Sequence, residues 1–88
     1  MILVGLEDCS TCKIVRGILP TVEYVELKKG KFGEATLPEI RDIKRALGKL
    51  NSTGHFPVIL NDDKTKMINA EILLDNLSIT KLEQLLDS

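Results

Sequence analysis

Residues 1–6, Met1-Ile2-Leu3-Val4-Gly5-Leu6, form an unbroken apolar run, the pattern of a strand covered on both faces. Ile14, Val15, Ile18 and Leu19 then recur at i, i+1, i+4 and i+5. That spacing predicts a helix over 10–19 with one apolar stripe, and Pro20 closes it. Thr21 to Leu27 is rich in β-branched and aromatic residues and predicts a second strand. Lys28 to Ala35 carries Gly30, Gly33 and three lysines and reads as a solvated loop. Thr36-Leu37-Pro38-Glu39 has the form of a capping box opening a helix, with Leu37, Ile40, Ile43, Leu47 and Leu50 on one face and Gly48 at its end. Pro57 to Leu60 predicts a third strand, 61–64 a turn and Thr65 to Ile68 its hairpin partner. Thr80-Lys81-Leu82-Glu83 is a second capping box, opening a closing helix to about Asp87. Residues 69–78 fit either a short helix or an extended crossing.

The resulting order, β-α-β-α-β-β-α, contains an early β-α-β unit, which implies a parallel pair with a right-handed crossover. The late hairpin adds an antiparallel edge. The expected product is an α/β domain with a four-stranded mixed sheet flanked by about three helices. With 88 residues, 43% of them hydrophobic and 28% charged, the chain has the size and composition of one domain spanning 1–88.

Charge removes some classes of function. The formal net charge is −1, so the chain has no electrostatic footprint for a phosphate backbone. Tyr24, Phe32 and Phe56 form no stacking platform along a basic stripe, so a nucleic-acid partner is not expected. Lys28, Lys29 and Lys31 read as part of the solvated loop. The N-terminal apolar run meets Glu7-Asp8 at once, and no apolar stretch nears the ~20 residues of a membrane span. The expectation is a cytoplasmic monomer without a membrane partner, in a compartment that keeps thiols reduced.

The chain has two cysteines, three positions apart, in Cys9-Ser10-Thr11-Cys12. The pair falls where the first strand hands over to the first helix. A sulfur just before a helix meets the unpaired N–H groups of the first turn and the positive end of the dipole, both of which favour the thiolate. One turn further on, Cys12 lies beneath Cys9, within reach to resolve a mixed disulfide. Glu7 and Asp8 oppose thiolate formation, Lys13 favours it, and the hydroxyls of Ser10 and Thr11 are candidate donors. The competing reading of two buried core cysteines is disfavoured by the turn position of residue 9. His55, the only histidine, reads as a solvated loop residue, with a proton relay as the alternative. With Cys9 and Cys12 it gives three ligands where a closed zinc site takes four, so no metal is expected.

With the CxxC at the end of the first strand, this element order and a proline opening the third strand, the whole chain resembles the glutaredoxin branch of the thioredoxin-like fold. The resemblance implies that Cys9 and Cys12 are catalytic and that Pro57 is a cis-proline shaping a groove opposite them. It also implies that Phe56 pairs its backbone with an incoming peptide or with glutathione, and that Ser10 and Thr11 border the substrate. Departures accompany the match. Ser10-Thr11 replaces the Pro-Tyr of glutaredoxins, Glu7-Asp8 replaces a preceding basic residue, and the Gly-Gly that helps seat glutathione is missing. These weigh against glutathione recognition and leave dithiol chemistry intact.

The resemblance thus implies a small dithiol oxidoreductase that binds no cofactor. It would reduce a disulfide in a client protein and be reset by glutathione or by a dedicated reductase. The alternative is a thioredoxin-fold adapter, or a metal-carrying module, that keeps the cysteines with little redox turnover.

Overall fold

A computed structural model describes residues 1–27, 38–50 and 54–87. The 28–35 loop with its lysines and Phe32, together with Thr36, Leu37 and the side chain of Glu39 from the expected capping box, lies outside the described residues. Eight elements follow one another: β1 (Ile2–Leu6), α1 (Ser10–Ile18), β2 (Glu23–Leu27), α2 (Pro38–Lys49), β3 (Val58–Leu60), β4 (Met67–Ile68), α3 (Ala70–Asp75) and α4 (Ile79–Asp87). The expected order holds up to β4, after which two helices stand where one was expected. The additional helix is α3, which makes most of 69–78 a short helix rather than an extended crossing.

The chain is α/β, with the four strands in one mixed sheet of order β2-β1-β3-β4. β1 runs parallel to β2 in the register Leu3↔Tyr24 and Gly5↔Glu26. β1 is antiparallel to β3, with Val4 opposite Val58, and β3 is antiparallel to β4. The continuous apolar run of β1 is explained by its central place, since both of its faces are covered. Ile2 and Val4 join Ile43, Ala46 and Leu47 of α2 in one buried cluster. Leu3 joins Val15 and Leu19 from α1, Leu73 from α3, and Leu82 and Leu86 from α4 in the other. Helices therefore lie on both faces, and each fully buried leucine contributes on the order of 1.5–3 kcal/mol.

Several local expectations are corrected. In α1 the inward stripe is Cys12, Val15 and Leu19, whereas Ile14 and Ile18 are 62% and 47% exposed. The helix is turned so that Cys12 takes an apolar position of the core. Gly48 does not end α2, which continues through it to Lys49. Thr65 and Lys66 belong to the turn rather than to β4, because Asn61 Oδ1 accepts both of their backbone N–H groups at 2.9 Å. The last helix begins before Thr80: the carbonyl of Ser78 accepts from Leu82 N at 2.9 Å, so Thr80 and Glu83 lie within the helix rather than capping it.

Candidate active site

The site is built on the β1–α1 connection. Glu7 N donates to Leu27 O at 2.9 Å, extending the β1–β2 ladder by one bond. Asp8 then turns the chain with φ of 63°, in the left-handed region where few residues other than glycine sit. That turn delivers Cys9 in extended conformation as the N-cap of α1. Cys9 Sγ accepts from the backbone N of Cys12 at 3.1 Å, so the sulfur occupies the place that a serine or aspartate oxygen takes in an ordinary cap. The first turn of α1 contains no acidic residue to compete for the dipole.

The two cysteines differ in access. Cys9 is half-buried at the helix tip, whereas Cys12 has no exposed surface. Their Cα atoms are 5.3 Å apart and their sulfurs stand at disulfide distance. Ser10 and Thr11, in the turn between them, are exposed, as is Lys13. This arrangement offers one sulfur to an incoming group and holds the second directly behind it.

Pro57 reaches the same end of the sheet through strand register. Val58 lies opposite Val4, so Pro57, one residue earlier in an antiparallel strand, falls alongside Gly5, at the end of β1 from which Cys9 leaves. Pro57 is fully buried, its bond to Phe56 is cis, and Phe56 is half-buried against the α2-side cluster. His55 turns outward, its Nδ1 3.1 Å from Glu71 Oε1 at the start of α3. The backbone N–H of Glu71 itself, and next the His55 ring, hold that carboxyl below the usual carboxylate range. Among the described residues no three His, Cys, Asp or Glu side chains are grouped as metal ligands would be.

Gly5, Tyr24, Glu26 and Arg16, which the pattern of the chain did not mark as site residues, cluster next to Cys12. Gly5 has no side chain, and a Cβ built there would lie 2.5 Å from Tyr24 Oη and 3.0 Å from Cys12 Cβ. Tyr24 Oη donates to Glu26 Oε1 at 3.4 Å, and the Arg16 guanidinium lies over the Tyr24 ring, 4.5 Å from its centre. Burial, then the charge and hydrogen bond of Glu26, push the Tyr24 phenol up, against a smaller opposing effect of Arg16. The signal that could have found this cluster is Gly5 itself, because a glycine inside an apolar strand marks the close approach of another group.

Comparison with known proteins finds no matching family model, no matching curated protein and no matching solved structure. Among the described residues no helix is long and apolar enough to cross a membrane.

Proposed function

We propose that the chain is a small thiol–disulfide oxidoreductase of thioredoxin-like, glutaredoxin-type fold, which reduces a disulfide in a client protein through Cys9 and Cys12. The observation that carries this reading is the asymmetry of the pair: a half-buried Cys9 sulfur capping α1, and a buried Cys12 one turn below it. A sulfur that receives a backbone N–H at a helix N-terminus is favoured as thiolate when reduced, and the thiolate is the nucleophile. Cys9 attacks one sulfur of the client disulfide, forming a mixed disulfide and releasing the other client sulfur as thiolate. Cys12 then attacks Cys9 Sγ, the bond from Cys9 to the client breaks, and the client leaves with both of its sulfurs reduced. Two electrons pass from the cysteine pair to the client, and the protein is left as the Cys9–Cys12 disulfide. Glutathione or a dedicated reductase returns it to the dithiol in a reducing compartment such as the cytosol.

Further support comes from the fold. The mixed sheet brings Pro57 to the end of β1 that carries the cysteines, so Ser10, Thr11, Phe56 and Pro57 are the residues proposed to border the client. The test is a trap. Cys12→Ser should accumulate a mixed disulfide through Cys9, whereas Cys9→Ser should accumulate none; equal trapping by both variants would overturn the assignment of roles. Reduction of insulin, with glutathione and with thioredoxin reductase as parallel electron sources, identifies which one resets the pair.

A further inference from the structure

A groove of about 600 Å³ opens beside the cysteines, on the side of β1 away from Pro57. One wall is Lys13, Arg16 and Gly17, at i, i+3 and i+4 along α1, with Pro20 just beyond the helix end. The other wall is Val22 and Tyr24, at the β2 edge of the sheet, whereas Pro57 enters β3 on the opposite side of β1. Lys13, Arg16, Gly17 and Pro20 are exposed, and Val22 and Tyr24 are half-buried. Lys13 N donates to Cys9 O at 3.3 Å, so the groove starts on the turn of α1 that Cys9 caps.

Among the described residues, this lining holds two cations and no carboxylate. Glu26, bonded to Tyr24 Oη, stands outside it. The Arg16 guanidinium lies over the Tyr24 ring, 4.5 Å from its centre, which orders the side chain in advance and reduces the entropy lost on docking. Gly17 leaves the floor open, because a Cβ there would meet nothing within 4 Å. Glu7 and Asp8 precede Cys9 and the formal net charge is −1, so a long polyanion is repelled while a short acidic segment is accommodated.

We propose that this groove docks an acidic segment of the client protein. Arg16 and Lys13 receive its carboxylates, and Pro20, Val22 and the Tyr24 ring pack against apolar groups beside them. The inference rests on the dithiol reading above and adds a preference among clients. Cys9 and Gly17 are about 12 Å apart along the helix axis, the reach of about four extended residues. The acidic residues therefore stand two to four positions from the client cysteine that Cys9 attacks.

Two synthetic peptides, each closed by one disulfide, test this. One carries Glu-Asp-Glu and the other Gln-Asn-Gln, two to four positions from the cystine. At low salt the reduced protein should reduce the acidic peptide about 10-fold faster, and the ratio should fall toward one in about 0.5 M salt. Arg16→Gln should bring the low-salt ratio near one. Gly17→Leu should do the same, since it favours the helix and keeps both cations but fills the groove. Equal rates for the two peptides with the wild-type protein would overturn the proposal. A preference that survives Gly17→Leu would overturn it too, because attraction between charges would then suffice without the groove. If neither peptide is reduced, the dithiol reading fails and a titration of the isotope-labelled oxidised protein with the cysteine-free acidic segment decides the groove by itself. Amide shifts at Lys13, Arg16, Gly17 and Tyr24 would support docking there, and none at these residues would overturn it.

Discussion

Gly5 is held as glycine by its neighbours rather than by its backbone. An alanine would place its Cβ 2.5 Å from Tyr24 Oη and 3.0 Å from the Cβ of Cys12, which is fully buried. Gly5→Ala is therefore expected to cost about 1–3 kcal/mol by overpacking. For a domain of this size, that lowers the midpoint of thermal unfolding by roughly 4–8 °C per kcal/mol. Tyr24 makes a second measurement unusually direct, since the chain has one tyrosine and no tryptophan. Its phenol should titrate above the ordinary 10.0, and Glu26→Gln should move that midpoint down by removing a neighbouring negative charge. The folded state favours neutral Tyr24, so this contribution to stability is complete below pH 10.0 and is lost as pH rises through the raised folded value. Ultraviolet absorbance followed against pH in the folded protein checks both statements.

At the scale of elements, α1 tests how the helix is turned. Leu19→Ala removes a 2%-exposed side chain and should cost about 2–5 kcal/mol in urea unfolding, whereas Ile18→Ala, at 47% exposure, should stay within about 0.5 kcal/mol. The sequence read both residues as one stripe because it treated Cys12 as chemistry alone. Once Cys12 is counted as a core position, Cys12, Val15 and Leu19 make the inward face. Most strands and the three longer helices, α1, α2 and α4, were legible, because β1 and β2 carry unbroken or β-branched runs and α2 a long apolar period. α3 was not: it has six residues, its N-cap Asn69 makes no side-chain capping hydrogen bond, and it buries Leu73 while leaving Ile72 and Leu74 exposed. So short a helix shows no period. The cysteine pair was legible from spacing and place, but Tyr24 and Glu26 were not, since alternation in a strand gives the face and not what stands across from it.

The whole molecule stands on its sheet rather than on its sulfurs. Cys12 is buried, but the two large apolar clusters form without it, each packing helices against one face of β1 and β3. The Cys9–Cys12 link closes a loop of sequence separation 3. Loop-closure entropy for so short a ring gives a loss of about 2 kcal/mol on reduction. Thermal unfolding of the reduced protein should therefore remain a single cooperative transition at a modestly lower midpoint, as a carrier that works in both states requires. Loss of cooperativity on reduction would mark the disulfide as a structural staple.

The equilibrium reduction potential of the Cys9–Cys12 pair, measured against a glutathione redox series, bears most directly on the proposed electron transfer. A half-buried, helix-capping Cys9 with a buried Cys12 one turn below it predicts a reversible two-electron couple at roughly −200 to −270 mV, the range of dithiol carriers. A potential below about −300 mV, or a pair that does not cycle, would contradict the account and leave the disulfide as part of the scaffold.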